Sequence, residues 1–489
     1  MSRAVIWLRR DLRLVDNTAL HNAAQHHSDL ILVYIATPTQ WQAHHLAPIQ
    51  ADLIARRLAY LRRQAQQCHV PLYYLSCDSY AQVPTLLKSV CQQHGATHLY
   101  CNREYELNEV RRDVLVERTL TEEAIKFRSF DDSCILPPGS VLNGSGTCYR
   151  VFTPYRRAWV QQLLSNAQNV ALVPSPLARQ TPPLNAENYG VELPEIEFKY
   201  PKVSSSNYPV ADNAIYALLS EFCQHKAAQY AQDRDYPARD GTSQLSPYLA
   251  IGALSARQCL NALMREYPNS LESQDSGQFV WLNELIWREF YKHLSAAYPS
   301  LSQGQPFVAW TAGVDWHESP SLLQAWQQGK TGFPIVDAAM RQLNTTGWMH
   351  NRLRMIVASF LTKDLQLDWR EGERYFMSQL VDGDYASNNG GWQWAASTGT
   401  DAQPYFRVFN PTTQGKNYDP KGIFIRKWIP ELTCCPDKYL HQPERWEGCI
   451  EAGYMLPIVD HAKARLMSID RFKQAKARWE ESQNENNAI

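Results

Sequence analysis

Residues 4–13 read AVIWLRRDLR, and this stretch decides the fold of the first part of the chain. Ala4–Leu8 is a continuous apolar run with the length of a fully buried strand. A dinucleotide-binding sheet would continue with a GxGxxG turn, but this chain has Arg9–Arg13 there. The stretch therefore predicts a parallel sheet that lacks the usual pyrophosphate cradle.

Further apolar runs follow, separated by helix-like patterns. They predict strands at Leu30–Ile35, Leu72–Ser76, His98–Cys101 and Ala124–Phe127. Alternation of strands and helices indicates a parallel sheet covered on its faces. Residues 1–135 are therefore predicted to form an α/β domain that is Rossmann-like without the GxGxxG motif.

The composition changes in the next segment, which has seven prolines between Val173 and Val210. Because proline lacks the backbone N–H that helices and sheets use, residues 136–210 are predicted to be a connector. Residues 211–471 show helical spacing and predict an all-helical domain, followed by a short tail at 472–489. Its predicted helices are Asn213–Gln232, Ser255–Tyr267, Val280–Ala297, Ile335–Asn344, Trp348–Leu365 and Gly372–Leu380.

Length, charge and cysteine content narrow the class of protein. The 489 residues exceed the size at which a single core keeps growing, and the net charge of −1 restricts nucleic-acid contact to a local basic patch. The eleven cysteines have no CxxC spacing, which favours reduced, buried thiols. No apolar segment has the length of a signal peptide core or a membrane span, so a cytoplasmic protein without membrane contact is predicted.

Ten of the fifteen tryptophans lie between Trp281 and Trp428, interleaved with charged and amide side chains. A globular core normally uses few indoles, because each carries an N–H that must be satisfied. This aromatic density indicates a binding site for a flat ligand.

The segment WLNELIWREFY at 281–291 predicts a helix with two different faces. At about 100° per residue, one arc of roughly 120° holds its polar and aromatic groups. These are Trp281, Glu284, Trp287, Arg288 and Tyr291. The opposite side carries Leu282, Ile286 and Phe290. We expect the helix to line a cavity, and the alternative is an amphipathic helix whose aromatic rings pack in a core.

Two further motifs carry polar groups. WMHNRLRM at 348–355 predicts a helix with Trp348, Asn351, Arg352 and Met355 on one face, unless these are ordinary surface groups.

DGDYASNNGGWQW at 382–394 predicts a non-helical loop, and Ala386 at a ligand position excludes a calcium loop. Its carboxylates suit ion pairs with Arg354, and the Asn388 amide suits a heteroaromatic ring edge. A purely structural loop is the alternative.

Two segments have the composition of phosphate-binding sites. DGTSQLSPYL at 240–249 groups Thr242, Ser243 and Ser246 ahead of Pro247, which indicates a helix start that binds phosphate or is merely capped. Between Arg407 and Lys427, basic residues alternate with aromatic ones, which indicates a nucleic-acid backbone track or a solvated charged surface.

Together, WLNELIWREFY, WMHNRLRM and the DGD…NNGGWQW segment resemble the photolyase/cryptochrome family, most closely its bacterial class I branch that acts on cyclobutane pyrimidine dimers. The resemblance runs from Val5 to about Arg471. It implies that residues 1–135 form an antenna-chromophore domain and that residues 211–471 form an FAD- and DNA-binding catalytic domain.

The resemblance also implies roles for individual residues. FAD would be held by Tyr230, Thr242, Ser243, Gln244, Leu245, Ser246, Trp281, Arg354, Asp382, Gly383, Asp384 and Asn388, with Asn388 facing flavin N5. DNA and the dimer would be contacted by Arg234, Glu284, Trp287, Arg288, Tyr291, Asn351, Arg352, Met355, Trp394 and Arg407. Glu284 and Asn351 would bind the dimer's carbonyl groups during catalysis. Electrons would reach oxidised flavin through Trp392, Trp369 and Trp316.

An antenna pigment is a further expectation. His44, Asn108 and Glu109 match positions that hold methenyltetrahydrofolate in folate-using relatives. The segment Ser302–Gly304, however, lacks the Cys-Lys pair that some of them have. The resemblance therefore implies a folate antenna, with a deazaflavin as the alternative.

The implied activity is light-driven repair of UV-damaged DNA by a monomeric enzyme, in which excited reduced FAD passes an electron to a flipped-out cyclobutane dimer and regains it. The alternative is a blue-light photoreceptor, a cryptochrome, without repair activity. Asn388 and the short stretch after Arg471 favour repair. Asn351 and Met355, where (6-4) photolyases have histidines, favour cyclobutane dimers as the substrate.

Overall fold

The computed structural model describes residues 2–166, 170–174 and 196–487. Part of the predicted connector, including residues 175–195, therefore lies outside the described residues. The chain forms two compact units. The first contains the residues up to Ala231, Ser243–Pro299 and Val381–Asp384, and the second contains Gln232–Thr242, Ser300–Leu380 and the residues from Tyr385 onward.

The first unit is built on a five-stranded parallel sheet. Its strands are β1 (Arg3–Leu8), β2 (Asp29–Ala36), β3 (Leu72–Ser76), β4 (His98–Asn102) and β5 (Lys126–Phe130). Their order is β3-β2-β1-β4-β5, which puts the topological switch point between β1 and β4. All but the first residue of β1 are buried, as expected for the central strand of a covered parallel sheet. The predicted α/β fold is confirmed.

The fifth strand lies later in the chain than predicted. Ala124 has a left-handed φ of 57° and belongs to a turn, so the strand cannot begin there. It runs to Phe130 and pairs with β4 through His98 and Lys126. Exposed Lys126 and Arg128 alternate with partly buried residues on this edge strand, so no continuous apolar run marks its position.

Helices cover the sheet and form the rest of the described chain. They are α1 (Thr18–His26), α2 (Pro38–Ala43), α3 (Pro48–Gln67), α4 (Val83–Gln93), α5 (Leu107–Thr121), α6 (Phe152–Ser165), α7 (Asp212–Glu221), α8 (Tyr230–Asp233), α9 (Ser246–Ala250), α10 (Ala256–Glu266), α11 (Gly277–Ala297), α12 (Pro320–Gln327), α13 (Pro334–Thr346), α14 (Asn351–Ser359), α15 (Trp369–Gln379), α16 (Tyr385–Ala396), α17 (Pro411–Tyr418), α18 (Ile423–Trp428) and α19 (His461–Asn487). π-helical turns lie at Phe222–Lys226 and Phe360–Asp364. Short 3-10 turns include Ala227–Gln229, Pro299–Gln303 and Ala309–Gly313.

From residue 212 onward the described chain has no β-strand beyond a single bridge between His317 and Leu367, which confirms the helical second half. The predicted helix Asn213–Gln232 is interrupted, because α7 ends at Glu221 and a π-helical turn follows. Residues 472–487, predicted as a tail, continue α19. The predicted connector contains α6.

The prediction of a loop at 382–394 is wrong, because α16 begins at Tyr385. Asn388 and both glycines of this segment therefore lie on a helix. Glycine and asparagine lower intrinsic helix propensity, but tertiary packing of an apolar face outweighs such costs. Trp392 and Ala396 supply that face by lying in an extensive apolar cluster of the second unit.

The helix predicted from Trp348 begins at Asn351 instead. His350 is its N-cap, and the ring Nδ1 accepts a hydrogen bond from the Arg352 backbone N–H at 3.2 Å. Trp348 therefore precedes the helix and does not share a helical face with Asn351.

All eleven cysteines are free, and seven of them are buried. Within the described ranges, no helix combines the length and apolar character needed to cross a membrane.

Candidate functional site

Helix α11 carries the motif WLNELIWREFY and starts at a close backbone contact. The Ser276 side chain accepts a hydrogen bond from the Phe279 N–H and so caps the helix. A Cβ at Gly277 would lie 2.4 Å from the carbonyl oxygens of Ala227 and Ala228. Only glycine permits this approach, which fixes where α11 begins.

The two faces predicted for α11 are present in the first unit. Leu282, Ile286 and Phe290 are fully buried. Glu284 and Arg288, on the other face, are only partly buried. The prediction of a helix with one apolar face and one chemically loaded face is confirmed.

Trp287 has one side of its indole covered. The Phe152 ring stacks on it with centroids 3.6 Å apart and planes 8° apart. Tyr291 lies beside the same indole at 5.5 Å. Trp281 is buried and packs against Phe222 at 4.9 Å. Trp287 is thus held rigidly, with its second face as the only one on which a planar ligand can stack.

Arg288 uses its guanidinium inside the first unit. Its Nη1 donates to the Ser133 carbonyl at 2.7 Å and its Nη2 to the Leu249 carbonyl at 3.4 Å. These bonds brace α11 against two other segments. A DNA contact by Arg288, which the resemblance implies, would have to compete with them.

Glu289, which the sequence did not single out, anchors the same helix. Its carboxylate is fully buried and accepts hydrogen bonds from the Ile135 and Leu136 backbone N–H groups and from the Trp159 indole N–H. These hydrogen bonds hold the segment that follows β5 against α11.

The segment Val381–Asp384 belongs to the first unit. Asp384 forms a buried ion pair with Lys292 of α11 at 3.0 Å. The Gly383 carbonyl accepts from the Gln50 side-chain amide at 2.9 Å. Asp382 is also buried. Lys292 is thus a partner of these carboxylates that the sequence did not indicate.

The predicted phosphate segment is irregular. α9 has only five residues, and Leu245 at its N-cap is buried and gives no side-chain cap. Gln244 has a left-handed φ of 51° and is exposed. Thr242, Ser243 and Ser246 are partly buried. Tyr230 is buried beside Phe222.

In the second unit, α14 presents the predicted polar residues near its start. Asn351 is exposed, whereas Arg354 and Met355 are partly buried. Arg354 Nε donates to the Met349 carbonyl at 2.8 Å, which turns the side chain back along the helix entrance.

Asn388 of α16 is oriented by a backbone contact. Its Nδ2 donates to the Glu373 carbonyl at 3.0 Å, which turns its Oδ1 away from Glu373. The neighbouring Asn389 donates to the Glu373 carboxyl at 2.7 Å. Burial raises the pKa of Glu373 to about 7. Glu373 was not singled out in the sequence, although it holds both amides.

Trp392 lies deep in the second unit, edge-on to Phe376 at 4.9 Å and to Trp326 at 5.9 Å. A Cβ at Gly372 would lie 2.0 Å from its ring, so α15 and α16 meet across a glycine. The buried Trp392 N–H has no hydrogen-bond acceptor among the described residues.

The other two tryptophans of the implied chain lie in the same apolar cluster. Trp369 is buried, and Trp316 packs at its edge while partly buried. Trp316 also contacts Phe472 of α19 at 6.0 Å. Trp392 and Trp369 are therefore interior residues of this cluster, and Trp316 is its more exposed member.

The implied DNA contacts of the second unit differ in their surroundings. Trp394 is partly buried near Phe409, and Arg407 is exposed. Arg352 pairs with Asp235 at 2.9 Å and lies 4.5 Å above the Tyr418 ring. Arg234 lies 3.9 Å from the same carboxylate. Asp235 thus joins two of the predicted arginines.

The three predicted antenna residues come together in the first unit. Asn108 donates to His44 Nε2 at 3.0 Å, and Gln40 donates to the same nitrogen at 2.9 Å. The other ring nitrogen, Nδ1, lies 3.8 Å from the Glu109 carboxyl. Tyr80 donates to Glu109 at 2.9 Å.

Both titratable groups of this antenna cluster are shifted. Burial, with the nearby Arg10 charge, lowers the pKa of His44 to about 4, so its ring is neutral at pH 7. Burial, with Glu106 and Glu104 nearby, raises the pKa of Glu109 to about 7. The cluster thus offers a neutral imidazole and a carboxyl that can donate or accept near neutral pH.

A small cleft opens at the carboxyl ends of β1 and β4 in the first unit. It is lined by Arg10, Glu104, Glu106, Arg288, Lys292 and Asp384, among others. Ligands of open α/β sheets bind at this position, the topological switch point. Across the described ranges, no group of three or more His, Cys, Asp or Glu side chains could hold a metal ion.

Comparison with known proteins follows the same division of the chain. The family model "DNA photolyase" matches residues 4–176, and "FAD binding domain of DNA photolyase" matches residues 281–474. Relatives named deoxyribodipyrimidine photo-lyase from Escherichia coli K12 and Vibrio cholerae are each 50% identical, over 97% and 96% of this chain and 99% of each relative.

Solved structures of photolyases and cryptochromes have the same fold as this chain. A class III photolyase from Agrobacterium tumefaciens superimposes with a TM-score of 0.82 at 32% identity, covering 98% of both chains. A Synechocystis cryptochrome gives a TM-score of 0.81 at 25% identity, covering 96% of this chain and 99% of its own. The fold, the motifs and the 50% identity over nearly the whole chain lead to one conclusion: the chain belongs to the DNA photolyase family.

Proposed function

We propose that this protein repairs cyclobutane pyrimidine dimers in UV-damaged DNA, as a cytoplasmic enzyme that uses light absorbed by bound FAD. The observation that carries the proposal is the 50% identity, over nearly the whole chain, to relatives named deoxyribodipyrimidine photo-lyase. The polar and aromatic face of α11 supports it, because its partly buried Glu284 and Trp287 are groups suited to a flipped-out dimer.

FAD, when bound in its reduced form, supplies the electron that opens the dimer after light absorption. The described residues fit this cofactor. The Asn388 carbonyl oxygen is turned away from Glu373 and suits a ring N–H such as N5–H of reduced flavin. Thr242, Ser243 and Ser246 offer hydroxyl donors for phosphate and ribitol. Tyr230, Trp281, Arg354, Asp382 and Asp384 complete the proposed set.

The substrate residues act by recognition. Glu284 and Asn351 would hydrogen-bond the dimer's carbonyl and imino groups, and Met355 would pack beside it. Trp287, which stacks on Phe152, would offer its free face to the dimer, and Trp394 is a second aromatic residue proposed to contact it. Stacking contributes about 1–3 kcal/mol per base, which offsets the few kcal/mol that extrusion of a poorly stacked lesion costs.

Trp392, Trp369 and Trp316 would pass electrons inward when the cofactor is oxidised. The buried Trp392 N–H has no acceptor within the described structure. The burial of Trp392 and Trp369 and the partly buried position of Trp316 in one apolar cluster support this proposed role.

We propose a methenyltetrahydrofolate antenna at His44, Asn108 and Glu109, with a deazaflavin as the alternative. The neutral imidazole and the Glu109 carboxyl would pair with the donor and acceptor edge of a pterin. The spectrum of the purified protein distinguishes the two pigments.

The test is repair of a UV-irradiated oligothymidine by reduced protein under blue light, with a dark control. Light-dependent loss of dimers supports the proposal, whereas flavin binding without repair would favour the cryptochrome alternative, which the Synechocystis neighbour keeps open. Glu284→Gln should slow repair per photon and retain FAD. The control is Glu272→Gln, an exposed glutamate of the same unit, which should repair normally.

A further inference from the structure

Asp235 lies where two predicted phosphate contacts of the second unit converge. Its Oδ1 is 2.9 Å from Arg352 Nη2 and 3.3 Å from Arg352 Nε, so one oxygen takes both nitrogens of that edge of the guanidinium. The same oxygen is 3.9 Å from Arg234 Nε. A phosphate oxygen would use the same edge of Arg352.

We propose that Asp235 is an internal competitor of the DNA phosphates, which weakens the electrostatic hold of Arg352 and Arg234 so that undamaged and repaired DNA is released. This inference rests on the proposed function. In the free protein, the carboxylate occupies the position that a phosphate takes in the complex. DNA binding must exchange one anion for the other.

The alternative role for Asp235 is to position Arg352, and the geometry disfavours it. The Arg352 guanidinium also lies 4.5 Å above the Tyr418 ring, a contact that supports it independently of Asp235. Tyr418 is in turn edge-on to Tyr236 at 6.4 Å. The arginine therefore has an aromatic support that does not depend on Asp235.

The charge balance gives the expected size of the effect. Two guanidiniums and one carboxylate have a net charge of +1, and loss of the carboxylate raises it to +2. Each additional phosphate neutralised steepens the dependence of log K on log salt by about 0.9 for duplex DNA. Removing one half-exposed ion pair that competes with phosphate should raise the affinity for DNA by up to about fivefold.

The experiment measures binding of undamaged duplex DNA to Asp235→Asn, Arg352→Ala and the double variant over a range of salt concentrations. We expect Asp235→Asn to bind about two- to fivefold tighter, to have a salt slope steeper by about 0.9, and to lose this gain when Arg352 is absent. The matched control is Glu371→Gln, which removes a carboxylate paired with Arg374 on the surface of the same unit.

Weaker binding by Asp235→Asn would overturn the proposal in favour of a positioning role. An equal gain in Glu371→Gln would also overturn it, since bulk charge alone would then be the cause. Light-driven repair by the wild type is measured separately, on UV-irradiated duplex DNA of the same sequence. Binding without repair would contradict the proposed function, while the salt slope decides the role of Asp235 independently.

Discussion

Two buried clusters, one in each unit, are stabilised in opposite ways. In the first unit, Arg13, Asp16, Asp132 and Arg257 form a network of charges with almost no exposure. In the second, Gly372 lets α15 approach the Trp392 ring within an apolar cluster. The first cluster depends on charge balance and the second on volume. Substitutions that leave shape unchanged should therefore damage only the first, and small additions of volume only the second.

The largest effect is expected for Asp132→Asn, which keeps the shape and removes the charge. Arg13 and Arg257 both pair with this carboxylate, the latter at 2.7 Å. Breaking a buried pair leaves uncompensated charge and costs about 3–5 kcal/mol. Urea unfolding at neutral pH measures the loss. A change below about 1 kcal/mol would show that the network is not held by charge.

The next effect is expected for Gly372→Ala in the second unit. The new methyl would overlap the Trp392 ring, and overpacking of this kind costs about 1–3 kcal/mol. Gly391→Ala in α16 is the matched control, because a Cβ there meets nothing within 4 Å. It should gain up to about 1 kcal/mol from helix propensity. Equal stability of the two variants would contradict the close contact at Gly372.

The loss of stability at low pH tests the charged cluster in the wild-type protein. Burial alone would raise the pKa of Asp132, but Arg13 and Arg257 hold it at about 2, below the unfolded value of 3.8. Its contribution is therefore complete above about pH 4 and is lost as the pH falls toward about 2, by roughly 2 kcal/mol. Asp132→Asn should lack this part of the decline. Parallel acid profiles for the two proteins would refute the assignment.

The last test uses Glu109→Gln in the antenna cluster. Burial and the neighbouring Glu106 and Glu104 raise the pKa of Glu109 to about 7, so its ionisation opposes folding as the pH rises from about 4.5 to 7. Removing that ionisation should stabilise the protein by roughly 2–3 kcal/mol more at pH 8 than at pH 5. Thermal unfolding at both pH values measures the difference. A larger gain at pH 5 would reverse the sign and exclude this explanation.

The sequence predicted periodic features well and local geometry poorly. The sheet and the two faces of α11 follow from apolar runs and from helical spacing. The start of β5 and the helix at Tyr385–Ala396 did not follow, because a left-handed turn at Ala124 and the packing of Trp392 depend on tertiary structure. Asp235 and Lys292 were missed for a related reason, since an isolated charged residue gives no periodic pattern.

The segment Val381–Asp384 has a consequence for how the protein is made. It completes the first unit, yet Ser300–Leu380 of the second unit precedes it in the chain. A ribosome that has released residues up to Pro299 has therefore not finished the first unit, because the buried Lys292 awaits Asp384. Domains usually fold as units during synthesis, starting from the N-terminus. Here the last step of the first unit must wait until Ser300–Leu380 of the second has been translated, so a gene split after Pro299 would yield a first fragment in which Lys292 lacks Asp384.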